Sequence, residues 1–284
     1  MAQRTVLVTG AGGLIGSHLV KCAPAFAPDC NVVGLTRHHL DLTSSQAVRR
    51  TLEWYRPSLI IHCAALSKST DCQENPELAK KINVDVTARL AELAGDTALV
   101  FLSTDLVFDG RQGNYGETAR VNPLSVYAET KTAAEEIILG YNHHIVIRTS
   151  LNGGISPTGN RSFNEEIRLA WQQGRTLTLF ADEFRCPIPV VATAQAIWEL
   201  ASANRPGLYH VAGCERLSRY QIGQLLAARW PQLNPKFQRG LLKDYQGAPR
   251  APDTSLNSAK AQKLLSFHLP GLQTWLKAHP NEPF

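Results

Sequence analysis

The stretch YAETK sets Tyr127 and Lys131 four residues apart. On a helix, side chains at that spacing lie one turn apart on one face. A phenol and an ammonium so placed can act as an acid. Tyrosine alone ionises near ~10, and a cation beside it stabilises the tyrosinate and lowers that value. Such an acid protonates the oxygen of a carbonyl that receives hydride. The pattern is short, and alone it fits either a catalytic pair or two unrelated surface residues.

A second chemical feature stands at the other end of the chain. TGAGGLIG places Gly10, Gly13 and Gly16 directly after the apolar run TVLV and at the opening of a helical pattern. Glycines there permit a tight turn and close backbone approach, and the helix start, with Leu14 and Ile15, turns free N–H groups and a positive dipole toward a pyrophosphate. About 20 residues further on, folds that bind NAD carry an acid for the ribose 2′-hydroxyl. This chain has Thr36 and Arg37 there. An arginine and a hydroxyl suit a 2′-phosphate, so the expected cofactor is NADP(H) in preference to NAD(H). The alternative is that Arg37 is a plain exposed arginine and His38 or His39 matters instead.

The elements that must position these groups alternate. TVLV (5–8), NVVGL (31–35), SLIIHCAA (58–65), ALVFLS (98–103) and HIVIRT (144–149) are short Val, Ile and Leu runs of the kind buried on both faces of a parallel sheet. Between them, residues 14–23, 44–55, 76–95 and 126–140 carry helical patterns. The expectation is an α/β protein: a Rossmann-like, doubly wound parallel sheet over residues 1–150, with residues 151–284 mostly a smaller C-terminal substrate-binding lobe. In that second part 176–180 and 207–213 read as strands, and 218–230 as a helix, as does the region around SLNSAKAQKLL. The boundary is soft, because a strand such as LYHVA can return to the main sheet.

Of the 284 residues, 44% are hydrophobic and 19% charged, the balance of a globular enzyme and not of a disordered or fibrous chain. The net charge of +5 is dispersed. It suits an anionic small molecule, and no Lys/Arg cluster resembles a nucleic-acid or lipid-binding patch. The cysteines at 22, 30, 63, 72, 186 and 214 include no Cys-x-x-Cys and no His pair at zinc-ligand spacing, so no metal site is expected. The opening stretch lacks a signal-peptide layout and no apolar run reaches spanning length, which points to a cytoplasmic protein away from membranes.

With these residues in view, the chain resembles the extended short-chain dehydrogenase/reductases, and within them the dTDP-4-dehydrorhamnose reductase family. The similarity runs nearly end to end, through TGAGGLIGSHL, DLTSSQ, HCAA, NVD, STDLVFDG, NPLSVYAETKTAAEE, IRTS, GLYHVAG and RAPDTSLN. It implies a catalytic triad of Thr104, Tyr127 and Lys131. Thr104 would donate a hydrogen bond to the carbonyl oxygen, and Lys131 would also bond the nicotinamide ribose. It further implies an adenine contact at Asp41 and Leu42, a cofactor contact at Ala64 and Ala65, and a structural-catalytic role for Asn83. A homodimer is common among such relatives.

Reduction is the reaction this pattern favours. The family's dehydratases place an Asp-Glu pair after the catalytic threonine, whereas Asp105 here precedes Leu106. The family's 4-epimerases hold NAD with an acid at the second strand's end, which is missing. The implied substrate is an anionic nucleotide-activated 4-keto-6-deoxy sugar such as dTDP-4-dehydrorhamnose, bound by Asp105, Asn152, Phe163, Arg185 and Arg250. Two departures bear on it. Leu151-Asn152-Gly153-Gly154 replaces an aromatic-bearing stretch, so an aromatic platform is sought at Phe163 or Phe184. Arg185 replaces a glycine, and either reaches a diphosphate or pairs with a nearby acid. Two other readings stay open: a non-catalytic NADP-binding regulatory subunit resembling the methionine adenosyltransferase β subunit, and an NAD-dependent sugar-nucleotide epimerase.

Overall fold

The computed structural model describes residues 3–282 and 284. Its main layer is a six-stranded sheet built from β1 (Arg4–Thr9), β2 (Cys30–Leu35), β3 (Leu59–His62), β4 (Ala98–Thr104), β5 (Ile145–Thr149) and a last strand, Gly207–Val211. The order from one edge is Gly207–Val211, β5, β4, β3, β1, β2, with every pairing parallel. The chain leaves β1 toward β2 and then returns to β3 on β1's other side. Such a switch opens a crevice above the strands' C-terminal ends, where ligands of this fold class bind.

The Val, Ile and Leu runs form strands because both of their faces are covered. Val6, Val8, Ile61, Val100, Leu102 and Ile147 face a core shared with α1 (Leu14–Phe26) and the helix Val190–Ser202. Leu7, Ile60, Leu99, Phe101 and Val146 face the opposite core, shared with α2 (Ser45–Tyr55) and the helices that follow. Adjacent strand residues thus alternate between two apolar cores, each fully buried aliphatic side chain contributing about 1.5–3 kcal/mol. Trp198 locks the first core laterally, its indole N–H donating to Leu19 O at 3.2 Å.

The region 76–95, expected as one helix, is broken by local geometry. After α3 (Ser69–Glu74), α4 (Pro76–Lys80) runs into a π-helical turn at Lys81–Asp85 before α5 (Val86–Ala94). The helix that carries Tyr127 and Lys131, α6 (Val126–Leu139), is capped by Ser125, whose hydroxyl accepts from Ala128 N–H. β3 ends at His62, short of the expected 58–65, because the chain leaves the sheet there to approach the glycine turn.

The strand Gly207–Val211 and the helix Val190–Ser202 both belong to the main layer although they lie beyond residue 150. That helix is absent from the sequence reading: VVATAQAIWELA is apolar nearly all round, so it lacks the one-sided stripe by which a surface helix is read. The smaller lobe packs Phe163, Trp171, Ile222, Leu226, Trp230, Leu272 and Trp275 into its own core. Its helices Phe163–Gln172 and Arg219–Arg229 each begin with a capping box, Ser162 with Glu165 and Ser218 with Gln221. Near the C-terminus only Ala259–Gln262 of the expected helical region is helical, and a further helix follows at Leu272–Ala278. No helix among the described residues is long and apolar enough to cross a membrane.

Candidate active site

The glycine turn is built by close approach. Gly10 has φ +70°, and a Cβ there would stand 2.6 Å from Ala64 N and 2.8 Å from Cys63 C. Only glycine takes that conformation and that contact together. Gly13 N–H bonds Gly10 O at 2.9 Å, and the first internal bond of α1 is Ser17 N–H to Gly13 O. Gly13 is the N-cap and offers no side-chain cap, so the N–H groups of Leu14, Ile15 and Gly16 face the crevice without an internal acceptor.

At the end of β2, Thr36 lines Gly12, and its hydroxyl accepts from His38 N–H at 3.3 Å. His39 folds back, its Nδ1 accepting from Thr36 N–H at 3.2 Å. Arg37 and His38 are exposed at this rim, with no carboxylate paired to either among the described residues. Asp41 Oδ1 accepts from Thr43 N–H at 2.9 Å and Thr43 Oγ1 at 2.7 Å, bonds that hold its carboxyl below the usual range. Leu42 is half-buried against the second core.

Tyr127 and Lys131 both lie on α6. Tyr127 is half-buried in the first turn, and Lys131 one turn on is 3% exposed, its Nζ 3.8 Å from the centroid of Phe101. Burial pulls Lys131 down to about 7, opposed by Glu135 and then Cys63. Burial pushes the Tyr127 phenol up, and Asp105 and Cys72 add to the rise while the neighbouring Thr104 hydroxyl opposes it. The phenol therefore carries its proton at neutral pH, as an acid must. Thr104 ends β4, beside this group. Since Ala64 meets Gly10 and its neighbour Cys63 faces Lys131, the glycine turn and α6 converge over the end of β3.

Two supports hold this arrangement. Asn83, in the π-helical turn, accepts from Leu66 N–H at 2.8 Å and donates to Leu66 O and Thr130 Oγ1, each at 3.0 Å. It clamps the loop after β3 to α6. Glu135, one turn beyond Lys131, receives Arg148 from β5 at 2.6 Å, both side chains fully enclosed. Buried charges require such pairing.

The substrate-side expectations fare unevenly. Phe163, expected as a platform, has its ring in the lobe's core, edge-on to Phe284. Arg185 pairs with nearby acids and does not reach outward. It lies 3.1 Å from Glu183 and 3.7 Å from Asp105, is enclosed, and donates to Phe184 O and Ala251 O. Arg250 is forked onto the same Glu183 at 2.7 and 3.0 Å, with 31% of its side chain exposed. Asp105 is buried and its carboxylate is spent on protein donors. Asn152 is buried beside Thr149 and Ser150, its Oδ1 without a partner among the described residues. Ser150, Thr254 and Glu183 are the groups that sequence reasoning passed over. The first two sit inside the quoted segments IRTS and RAPDTSLN, a signal that was present, whereas nothing marked Glu183 as the buried partner of three arginines.

The model of the RmlD substrate binding domain matches residues 4–282. The dTDP-4-keto-6-deoxy-D-glucose reductase of Streptomyces niveus is 30% identical over 224 residues, 77% of this chain and 76% of its own. The methionine adenosyltransferase 2 subunit beta of Danio rerio is 38% identical over 231 residues, 77% of this chain and 72% of its own. Among solved structures, dTDP-4-dehydrorhamnose reductase (rfbD) from Bacillus anthracis str. Ames in complex with NADP superposes with a TM-score of 0.87 at 22% identity, over 98% of each chain. Glycine turn, Tyr-Lys helix, sheet order and an almost full-length family match agree, and the chain belongs to the RmlD family of extended short-chain dehydrogenase/reductases, a family of sugar-nucleotide reductases.

Proposed function

We propose that this chain is an NADPH-dependent reductase of a carbonyl on a nucleotide-activated 4-keto-6-deoxy sugar, such as dTDP-4-dehydrorhamnose. The observation that carries the reading is the meeting of Tyr127, Lys131 and Thr104 with the glycine turn over the end of β3. The tight turn at Gly10 and the uncapped start of α1, whose first N–H groups lack internal acceptors, support a dinucleotide pyrophosphate there. Gly10, Gly13, Leu14, Ile15 and Gly16 would hold the pyrophosphate, Asp41 and Leu42 the adenine, and Ala64 and Ala65 the central portion. When bound, the cofactor supplies the hydride. Tyr127 then gives its proton to the developing alkoxide, and the Lys131 ammonium steadies the tyrosinate and bonds the ribose. Thr104 donates to the carbonyl oxygen, where charge develops. Arg37, exposed and without a carboxylate neighbour, supports NADP over NAD. For the substrate, Asn152 and Arg250 remain as candidates, one through an unpartnered buried oxygen, the other through its exposed edge. Six unpaired thiols support a cytoplasmic setting, and sedimentation tests the homodimer.

The test follows NADPH absorbance with dTDP-4-keto-6-deoxy sugars and a panel of simple ketones, for the wild type and Tyr127→Phe. Turnover that the mutant loses by about 10²–10⁴ supports the reading. NADPH binding with no consumption of any substrate defeats it. The 38% identity to a methionine adenosyltransferase β subunit would then favour a second reading, a regulatory subunit that binds NADP without turnover. An epimerase would instead carry tightly held NAD through purification.

A further inference from the structure

We propose that the protonation state of Asp105 decides whether Thr104 offers its hydroxyl hydrogen to a substrate oxygen, which makes Asp105 a positioning residue for the reductase chemistry proposed above, on which the inference rests. A threonine hydroxyl has one hydrogen to give and two lone pairs. Here one lone pair takes Leu106 N–H at 3.2 Å, and the hydrogen goes to Asp105 Oδ1 at 3.2 Å. Thr104 keeps only a lone pair for the space beside Tyr127. A carbonyl oxygen is itself an acceptor and gains nothing from that.

The other carboxyl oxygen, Oδ2, is already crowded with donors. Ser150 Oγ donates at 2.7 Å and Thr254 Oγ1 at 2.9 Å, and Arg185 Nε stands 3.7 Å away. Ser150 accepts Cys186 N–H at 3.3 Å, which leaves its own hydrogen for Asp105. A proton arriving on Asp105 therefore has one open place, Oδ1. Once there it donates to Thr104 Oγ1, the bond between them reverses, and the Thr104 hydrogen swings toward the substrate. The proton comes from solvent, and no other bond forms or breaks.

The groups facing Asp105 are Arg185 from the strand Phe184–Arg185, Tyr127 from α6 and Cys186 just after that strand. Glu183 behind Arg185 draws on the same guanidinium at 3.1 Å, which weakens its hold on Asp105. Burial lifts the Asp105 carboxyl above its ordinary value, against Arg185 and the three hydroxyl donors, so its titration moves toward the working pH. The protonated form is the productive one, and kcat falls as pH rises through this titration.

Asp105→Asn tests this, because its amide N–H donates to Thr104 as the protonated carboxyl does, while its oxygen still accepts from Ser150 and Thr254. With NADPH and a dTDP-4-keto-6-deoxy sugar, the alkaline limb of kcat in the variant moves upward to that set by Tyr127 and Lys131. Asp105→Ala removes the acceptor that withholds the Thr104 hydrogen, so its kcat likewise lacks the limb set by Asp105, while Ser150, Thr254 and Arg185 lose the acceptor they share. Thr254→Val, which removes one donor that favours the ionised form, moves the limb upward if the alanine variant does not fold. An unmoved limb in Asp105→Asn or in Asp105→Ala overturns the proposal. Difference infrared spectra of wild type against Asp105→Asn, without substrate, read the same proton directly. A carboxylic-acid band that titrates above ~4 supports the switch even if no substrate turns over, an outcome that defeats the reductase reading alone. Turnover without that band defeats the switch alone.

Discussion

Replacing Gly10 by alanine separates two costs that the structure places on one residue. The first is conformational: φ is +70°, and an L-residue with a Cβ loses about 1–2 kcal/mol there. The second is steric. The new methyl would stand 2.6 Å from Ala64 N, 2.8 Å from Cys63 C and 2.9 Å from Ala64 Cα, all backbone atoms that cannot rotate away. Overpacking of this kind costs about 1–3 kcal/mol. Together they give ~2–5 kcal/mol, or at ~2 °C per kcal/mol for a chain of this size a Tm lower by about 4–10 °C. Gly159→Ala is the matched control, since Gly159 has φ +71° and nothing within 4 Å of its Cβ position. It should show only the conformational part, ~2–4 °C. Thermal unfolding of both variants without cofactor measures the difference, and fluorescence titration with NADPH measures the consequence, an affinity reduced by more than about tenfold for Gly10→Ala alone. Equal Tm losses in the two variants would refute the close approach of the glycine turn to β3's end, and with it the argument for why the cradle needs glycine.

Other perturbations reach the remaining parts of the site. Lys131 is pulled down to about 7 from 10.5 in the fold, so the unfolded chain binds more protons between those values. Wild-type stability should therefore rise relative to Lys131→Met as pH climbs from about 7 toward 10.5, read by denaturant unfolding across that window; parallel curves would contradict the buried ammonium. Arg148→Met strands the enclosed Glu135 carboxylate and should cost about 3–5 kcal/mol in urea unfolding, whereas a loss below ~1 kcal/mol would mean that the pair is solvated. Arg37→Ala should weaken NADPH binding by roughly 10–100-fold through a lost charged hydrogen bond and leave NADH binding unchanged. Equal weakening of both cofactors would remove Arg37 from the 2′-phosphate.

Much of the main layer was legible because its signals are local. The apolar runs, the glycines at Gly10, Gly13 and Gly16, and the four-residue spacing of Tyr127 and Lys131 depend on neighbours within one or two turns. Ser125 before α6 and Ser44 before α2 are cap signals of the same short range. The substrate side was not legible in this way. Whether Arg185 points outward or inward turns on Glu183 and Asp105, the latter 80 positions earlier in the chain, and Phe163 meets Phe284 across 121 positions. The π-helical turn at Lys81–Asp85 also escaped pattern, since its hydrogen-bond span differs from that of the helices it joins by a single residue.

The sequence by itself determined the alternation of strands and helices through the first 150 residues, the glycine turn and the spacing of Tyr127 and Lys131 by one helical turn. Those follow from backbone sterics and side-chain period, which act over a few residues. The tertiary structure alone decided that Gly207–Val211 closes the sheet beside β5 and that Val190–Ser202 covers its face. It decided too that Lys131 lies buried over Phe101 and that Asp105 gathers Thr104, Ser150 and Thr254 around one carboxyl. Burial and hydrogen-bond direction are properties of what surrounds a group, and here the surroundings come from segments up to 149 residues apart.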